Sequence, residues 1–200
     1  MKTICIISNS SLGALFKYLK IFKKNNLNFL IISAKKIKKE KLSNIKYFYL
    51  SNKNNDYFNK EAYKILKNYK PSKIILFYTK KINRLIYQNF KTINIHNSFL
   101  PHHKGLNVIK RIYKDDVKFI ISSCHYINEK FDDGRIIYQI ASPVKKYSLK
   151  FFNKISFLHR VVLLYAIINS NSKYYCSFIN KENLISPGLN QKKINFKFWK

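Results

Sequence analysis

The sequence predicts an α/β fold with a doubly wound, mostly parallel sheet in a single domain. Three observations carry that expectation. Short apolar, β-branched runs recur along the chain, and segments with helical spacing or capping residues separate them, which is the alternation of a parallel sheet covered by helices. The chain has 200 residues, of which 46% are hydrophobic and 16% aromatic. That length suits one domain with a substantial core, and that composition does not suit a disordered chain.

The elements follow in order. Residues 3–8 (TICIIS) read as a buried strand. SNSSLGALFKYLKIFKKNN begins with helix-capping residues and sets Leu12, Leu15, Phe16 and Leu19 at helical spacing. Strands are expected at 26–33 (NLNFLIIS), 45–50 (IKYFYL), 73–78 (KIILFY) and 91–96 (KTINIH). A helix is expected from about Tyr57 to Tyr69, stopped by Pro71, and a short one from Ile82 to Phe90. After Gly105 come a helix (LNVIKRIYKDD), a strand (VKFIISSCHYI), a loop and a further strand (RIIYQIASPV). A long amphipathic helix is expected over 150–169, and the rest to Lys200 reads as short strands and turns. One domain over 1–200 is expected, with no internal repeat or linker.

Charge needs a decision between two readings. Thirty-nine Lys+Arg against nine Asp+Glu give a formal net charge of +30. The cations are nearly all lysine, spread among Asn, Ile, Tyr and Phe, and only AKKIKKEKL (34–42) is a dense run. That distribution fits a compositional bias and a solvated lysine coat better than a nucleic-acid patch. The field would still draw anionic small molecules. Cys5, Cys124 and Cys176 are far apart with no C-x-x-C pair, so neither a metal site nor a disulfide framework is expected. No uninterrupted apolar run reaches about 18 residues, so no membrane span is expected. The run MKTICIISNSSLGAL reads as a strand rather than a signal peptide, and a cytoplasmic location is expected.

Acidic residues are scarce, which narrows the search for a catalytic carboxylate. It must come from Glu40, Asp56, Glu61, Asp115, Asp116, Glu129, Asp132, Asp133 or Glu182. Glycines are scarcer still (Gly13, Gly105, Gly134, Gly188), so each is expected where the backbone needs positive φ or close approach. Ligands of doubly wound sheets bind outside the carboxyl ends of the strands. Asn94, His96, His125 and Asp132 could converge there. Asn94 and His96, two apart on a strand, share a face, where a buried amide and imidazole are costly unless they pair or do work. An Asp facing a His is expected to raise the imidazole pKa and keep it protonated near neutral pH. The set supplies an oxyanion donor, a cationic proton shuttle and an orienting carboxylate, as acyl transfer to an amine requires. His102 and His103 read as exposed loop residues and His159 as a packing residue. Ser98 near His96 lacks the G-x-S-x-G elbow of a serine nucleophile.

INIHNSFLPHHKG (93–105) and SSCHYINEKFDDGRIIYQ (122–139) together resemble the folate-dependent formyltransferase family. Its pattern is N-x-H-x-S-L-L-P followed by H-x-V-x-x-x-x-D-x-G. The resemblance is strongest over 93–144. It implies a Rossmann-like fold and formyl transfer from 10-formyltetrahydrofolate to a primary amine. It gives Asn94 the oxyanion, His96 the proton shuttle, Asp132 the proton-accepting carboxylate, and His125 the support of the Asp132 loop. Lys80, Lys81, Ile82, Asn128 and Glu129 would border the folate. Asn9, Ser10 and Ser11 would take a substrate phosphate at a helix N-terminus. The implied partners are a small amine and a reduced folate, with no metal, no membrane and no nucleic acid, in a monomer or weak homodimer.

Chain length and the K-G-L continuation (Lys104, Gly105, Leu106) favour glycinamide ribonucleotide, of purine biosynthesis, as the acceptor. Three departures concern the acceptor side. SNSSLGAL replaces a glycine-rich first loop, Leu158-His159 replaces Glu-His, and Asn97 replaces a proline. An amino-sugar nucleotide formyltransferase, a formyltetrahydrofolate deformylase and a basic nucleic-acid-binding module on the same fold remain alternatives.

Overall fold

The computed structural model describes residues 2–9, 27–36, 44–114, 119–143, 148–169, 175–179 and 184–185. The helix expected after β1 therefore lies outside the described residues, as do Ser10 and Ser11. By contacts the chain forms two compact units, Met1–Asn94 and Ile95–Lys200.

In the first unit the strands are β1 (Lys2–Ser8), β2 (Leu27–Ser33), β3 (Ile45–Tyr49), β4 (Lys73–Phe77) and the start of β5 (Thr92–His96). They lie in the order β3-β2-β1-β4-β5, all parallel. The first three strands step outward one way and the next two step the other way, which is the doubly wound order with its switch point between β1 and β4. Ile4, Cys5, Ile6 and Ile7 are all fully buried, as a central parallel strand covered on both faces requires. This is why the sequence shows unbroken apolar runs rather than alternation. The edge strand β3 is only half-buried.

Helix α1 (Asn55–Tyr69) is capped by Asn54, whose side chain accepts from the amides of Asp56 and Tyr57. It ends at Lys70, which turns left-handed (φ 42°) just before Pro71. Its buried stripe of Phe58, Ala62 and Leu66 repeats every fourth residue. Asn59 lies beside that stripe and does other work. Its amide donates to the Lys81 carbonyl (3.2 Å) and accepts from the Asn83 amide (2.9 Å). Asn55 also donates to the Lys81 carbonyl (2.9 Å). These two asparagines, one turn apart, fix the segment that leads into α2 (Arg84–Asn89).

The second unit contains α3 (Val108–Lys114), β6 (Phe119–Tyr126), β7 (Ile136–Pro143), α4 (Leu149–Asn169), β8 (Tyr175–Ile179) and β9 (Leu184–Ile185). Strands β6 and β7 pair antiparallel, β8 joins β7 in parallel, and β9 returns antiparallel to β8. Val108 and Ile112 of α3, Ile120 of β6, and Phe152 and Ile155 of α4 form one apolar cluster, with Leu158 packed against it. Helix α4 is long and apolar enough on average to cross a membrane, although no uninterrupted apolar run in it reaches that length. Lys150, Asn153, Lys154, Ser156, His159 and Arg160 break the run without lowering the average enough. That is a test of length and composition only, and half of the segment is buried inside the protein.

His159 sits in that helix, 1% exposed. Each ring nitrogen meets a serine hydroxyl, Ser122 Oγ at Nδ1 (3.2 Å) and Ser142 Oγ at Nε2 (2.8 Å). This is the packing role the sequence suggests. Burial with only neutral partners pushes its pKa down to about 3. The unfolded imidazole titrates near 6.5, so between about 6.5 and 3 the unfolded chain binds the extra proton. Stability is therefore expected to fall as pH falls through that window. His159→Gln should flatten this loss, measured as the difference in Tm between pH 7 and about pH 4.5 for the two proteins. An equally steep loss in both would show that His159 does not carry it.

Candidate active site

Strand β5 supplies the first two groups. Ile93 and Ile95 are buried, and Asn94 and His96 alternate with them on the other side of the strand. Asn94 lies in the first unit, opposite Leu76 of β4. The remaining geometry belongs to the second unit.

After β5 the chain enters a loop, 97–105, tied down from inside. Ser98 is fully buried and its hydroxyl donates to the His103 carbonyl. Its carbonyl accepts from Ser123 Oγ of β6 (2.6 Å), which in turn accepts from the Leu100 amide (3.1 Å). Gln139 of β7 donates to the Leu100 carbonyl (3.0 Å) and to Ser123 Oγ (3.0 Å). Ser98 is thus a structural hydroxyl. The Leu100–Pro101 peptide is cis.

The opposing turn is set by backbone constraints. The β6–β7 register shifts between Cys124 and His125, and a bulge of this kind re-aims the side chain that follows it. The Tyr126 amide donates to the Arg135 carbonyl (3.0 Å) and closes the loop between the strands. A Cβ at Gly134 would lie 1.7 Å from the Tyr126 carbonyl oxygen, so only glycine permits this closure. Asp132 has φ 49°, an uncommon left-handed conformation that Asp tolerates better than most residues.

That turn delivers Asp132 between two histidines. Its Oδ2 accepts from the Gly105 amide (2.9 Å) and stands 3.6 Å from His96 Nδ1. Its Oδ1 stands 3.5 Å from His125 Nε2. His125 Nδ1 lies 2.9 Å from the Tyr126 carbonyl, and His96 Nε2 lies 3.0 Å from the His103 carbonyl. His125 is 1% exposed, while His96 and Asp132 are each 12% exposed.

The electrostatics correct one expectation. Burial of His96 outweighs the Asp132 carboxylate and the His103 carbonyl, so its pKa is lowered rather than raised. The neutral ring is the resting form near pH 7, and the His103 carbonyl favours the proton on Nε2. For Asp132 the balance falls the other way. Burial pushes its carboxyl up, but the bond from His125, the nearby His96 and the Gly105 amide together hold it below the usual carboxylate range.

A cleft of about 530 Å³ adjoins Asp132, with Leu100, Pro101, Ile136, Ile137 and Tyr138 as its apolar wall and Arg135 beside them. That volume is in the range of small-molecule sites. Among the described residues no group of three or more His, Cys, Asp or Glu is placed to hold a metal.

Asn9 follows β1, and its side chain donates to Thr79 Oγ1 (2.6 Å) and accepts from the Thr79 amide (3.3 Å), across the carboxyl ends of β1 and β4. Lys80 reaches the Asn52 carbonyl (2.6 Å), the Lys81 carbonyl is held by α1, and Ile82 is buried. Asn128 accepts from the Lys130 amide (3.1 Å) and Glu129 is exposed. Sequence reasoning missed the supports: Asn55 and Asn59, Ser123 and Gln139, and a Lys104–Asp133 ion pair beside Asp132. Spacing offered a signal for only one pair, Asn55 and Asn59, one turn apart on a helix.

Comparison with known proteins shows the family and the fold. The chain is 45% identical over 49 residues to formyltetrahydrofolate deformylase of Corynebacterium sp. (strain P-1), covering 24% of this chain and 17% of that protein. It is 42% identical over 55 residues to the trifunctional purine biosynthetic protein adenosine-3 of Gallus gallus, covering 28% of this chain and 6% of that protein. The matches thus span less than a fifth of the length of these relatives. The fold matches phosphoribosylglycinamide formyltransferase from Campylobacter jejuni with a TM-score of 0.70 at 23% identity, covering 84% of this chain and 96% of that one. One family model, described as formyl transferase, matches residues 1–150 and so runs through both units. The chain belongs to the formyl transferase family.

Proposed function

We propose that the protein transfers a formyl group from 10-formyltetrahydrofolate to a primary amine, with glycinamide ribonucleotide as the acceptor. The observation that carries the reading is the meeting of His96, His125 and the Gly105 amide at the Asp132 carboxylate, beside a cleft with an apolar wall. That wall suits a flat heteroaromatic donor, and the donor supplies the activated formyl carbon. The amine nitrogen bonds to that carbon, the carbon–N10 bond breaks, and one proton passes from the amine to N10.

Each residue has a part in this transfer. Asn94 donates a hydrogen bond to the oxygen that becomes negative. His96 rests neutral, with its Nε2 proton on the His103 carbonyl, so Nδ1 has a free lone pair. It takes the amine proton there, the new cation faces ionised Asp132, and the proton is then returned to the leaving nitrogen. Asp132 stabilises the imidazolium only while it exists, which favours the transition state over the resting state. His125 and Gly105 keep Asp132 ionised and aimed.

A second reading, deformylation with water in place of the amine, is favoured by the 45% identity over 49 residues to a deformylase. The acceptor itself is open to direct assay. Leu158 stands where the resembled pattern has an acid, and it packs on the α3–α4 apolar cluster. Its replacement by Glu would disturb that cluster and is a poor probe. Incubation with 10-formyltetrahydrofolate and glycinamide ribonucleotide is expected to give a formylated ribonucleotide and tetrahydrofolate in equal amounts. Formate with no formylated amine would establish the deformylase reading. Formylation of an amino-sugar nucleotide instead would move the acceptor assignment.

Asn94→Ala, His96→Ala and Asp132→Asn are each expected to lower turnover by about 10²–10⁴-fold, read as tetrahydrofolate release. Near-normal turnover in both His96→Ala and Asp132→Asn would sink the mechanism. The charge state of Asp132 has its own test. Its carboxyl carbon, followed by NMR, should titrate below the ordinary carboxylate range, and His125→Ala should move that midpoint upward. The ionised form favours the fold, so this contribution is present above the ordinary carboxylate pKa and lost as pH falls through the lowered value.

A further inference from the structure

The turn that carries Asp132 is fixed at its downstream end by Gly134 against the Tyr126 carbonyl. At its upstream side the Asp132 carboxylate ties the turn to the loop 97–105 through the Gly105 amide. The next residue supplies another tie. Lys104 Nζ donates to Asp133 Oδ1, joining the two loops one residue away from the Gly105–Asp132 bond. Lys104 is itself anchored, because Arg111 of α3 donates to its backbone carbonyl (2.7 Å). A continuous line therefore runs from α3 through Lys104 and Asp133 to the Asp132 turn. The ammonium holds the Asp133 carboxyl below its usual range, with Lys130 adding to the effect.

We propose that Lys104 and Asp133 are positioning residues for catalysis: their ion pair latches the Asp132 turn onto the loop 97–105 and sets where the Asp132 carboxylate stands relative to His96. This rests on the catalytic reading of Asp132 given above. The pair is about one-third exposed on each side, so its contribution to global stability is small and salt weakens it. Its effect is local. Asp132 stands 3.6 Å from His96 Nδ1, slightly beyond hydrogen-bond distance, and a modest displacement of the turn changes how well the transient imidazolium is met. The backbone of Lys104, held by Arg111, gives the latch a fixed point on α3. The carboxylate of Asp133 gives it a moving one.

The test compares Lys104→Ala, Asp133→Ala, the double variant and the charge-exchanged pair Lys104→Asp with Asp133→Lys. Each is assayed over a range of 10-formyltetrahydrofolate concentrations with glycinamide ribonucleotide in excess, alongside Asp132→Asn. Both single variants are expected to lower kcat about tenfold with KM nearly unchanged, and the double variant to be no worse than either. The exchanged pair should recover part of the loss. Raising salt to about 0.5 M should lower native kcat toward that of the variants and leave theirs alone. Independently of substrate, hydrogen exchange at the Gly105 amide should be faster in both single variants, with Tm little altered. Native kcat and native Gly105 exchange in both single variants, with Asp132→Asn inactive, would overturn the latch and leave the catalytic reading intact. Additive losses in the double variant would also overturn it. Normal turnover in Asp132→Asn would remove the catalytic reading, and the latch as a catalytic device with it.

Discussion

A half-buried carboxylate has to be met by polar partners where water does not reach, and in this protein that requirement falls on Asp132. Its oxygens face His96, His125 and the Gly105 amide, which come from β5, β6 and the loop after β5. Each of those segments has a local feature that serves the meeting. The β6 register shift precedes His125, Gly134 lets the loop close on Tyr126, and the Ser98–Ser123–Gln139 bonds hold the loop that presents Gly105. Without the carboxylate these features have no shared purpose. With it, a left-handed aspartate and a glycine that tolerates no side chain become consequences of one electrostatic demand.

The two ionisable partners resolve burial differently because they differ in what surrounds them. Asp132 accepts from His125 and the Gly105 amide beside His96, and together these exceed its loss of hydration. His96 has one carboxylate at 3.6 Å and one carbonyl, which do not compensate for its burial. The result is an ionised acid beside a neutral base at rest. Such a pair is poised to accept one proton rather than already holding it, so charge develops during the reaction and not before it. A preformed imidazolium would have been screened by Asp132 in the ground state and would have gained less on moving to the transition state.

The parallel strands were legible in the sequence because they are buried on both faces. Runs such as CIIS and FLIIS stay apolar regardless of periodicity, and their bounds shift by only a residue or two. The convergence of His96, His125 and Asp132 was legible because strand alternation and the position of carboxyl ends are geometric rules. The protonation of His96 was not, since a sequence shows that a carboxylate is near but not how much water has been removed. The average apolarity of α4 does not show as an unbroken run because scattered polar residues, Lys154, His159 and Arg160 among them, interrupt it. The two asparagines of α1 share a helical spacing, but that signal alone did not single them out. Asn is common throughout this chain, and nothing in composition distinguishes one that holds Lys81 and Asn83 from one that faces solvent.

The same difficulty hides Lys104, and the lysine-rich composition explains why geometry must decide. With a net charge of +30 every acidic side chain lies in a positive field, and a diffuse field attracts a carboxylate without telling it where to stand. Adjacent aspartates show the difference. Asp132 meets two imidazoles and a backbone amide, partners whose positions strand and loop geometry dictate. Asp133 meets one lysine among many, and only the bond from Arg111 to the Lys104 carbonyl makes that lysine a fixed point. Selectivity among like charges therefore comes from the neutral and backbone bonds that locate them. In a chain so rich in one cation, a functional lysine is found by asking what holds its backbone, not by counting its neighbours.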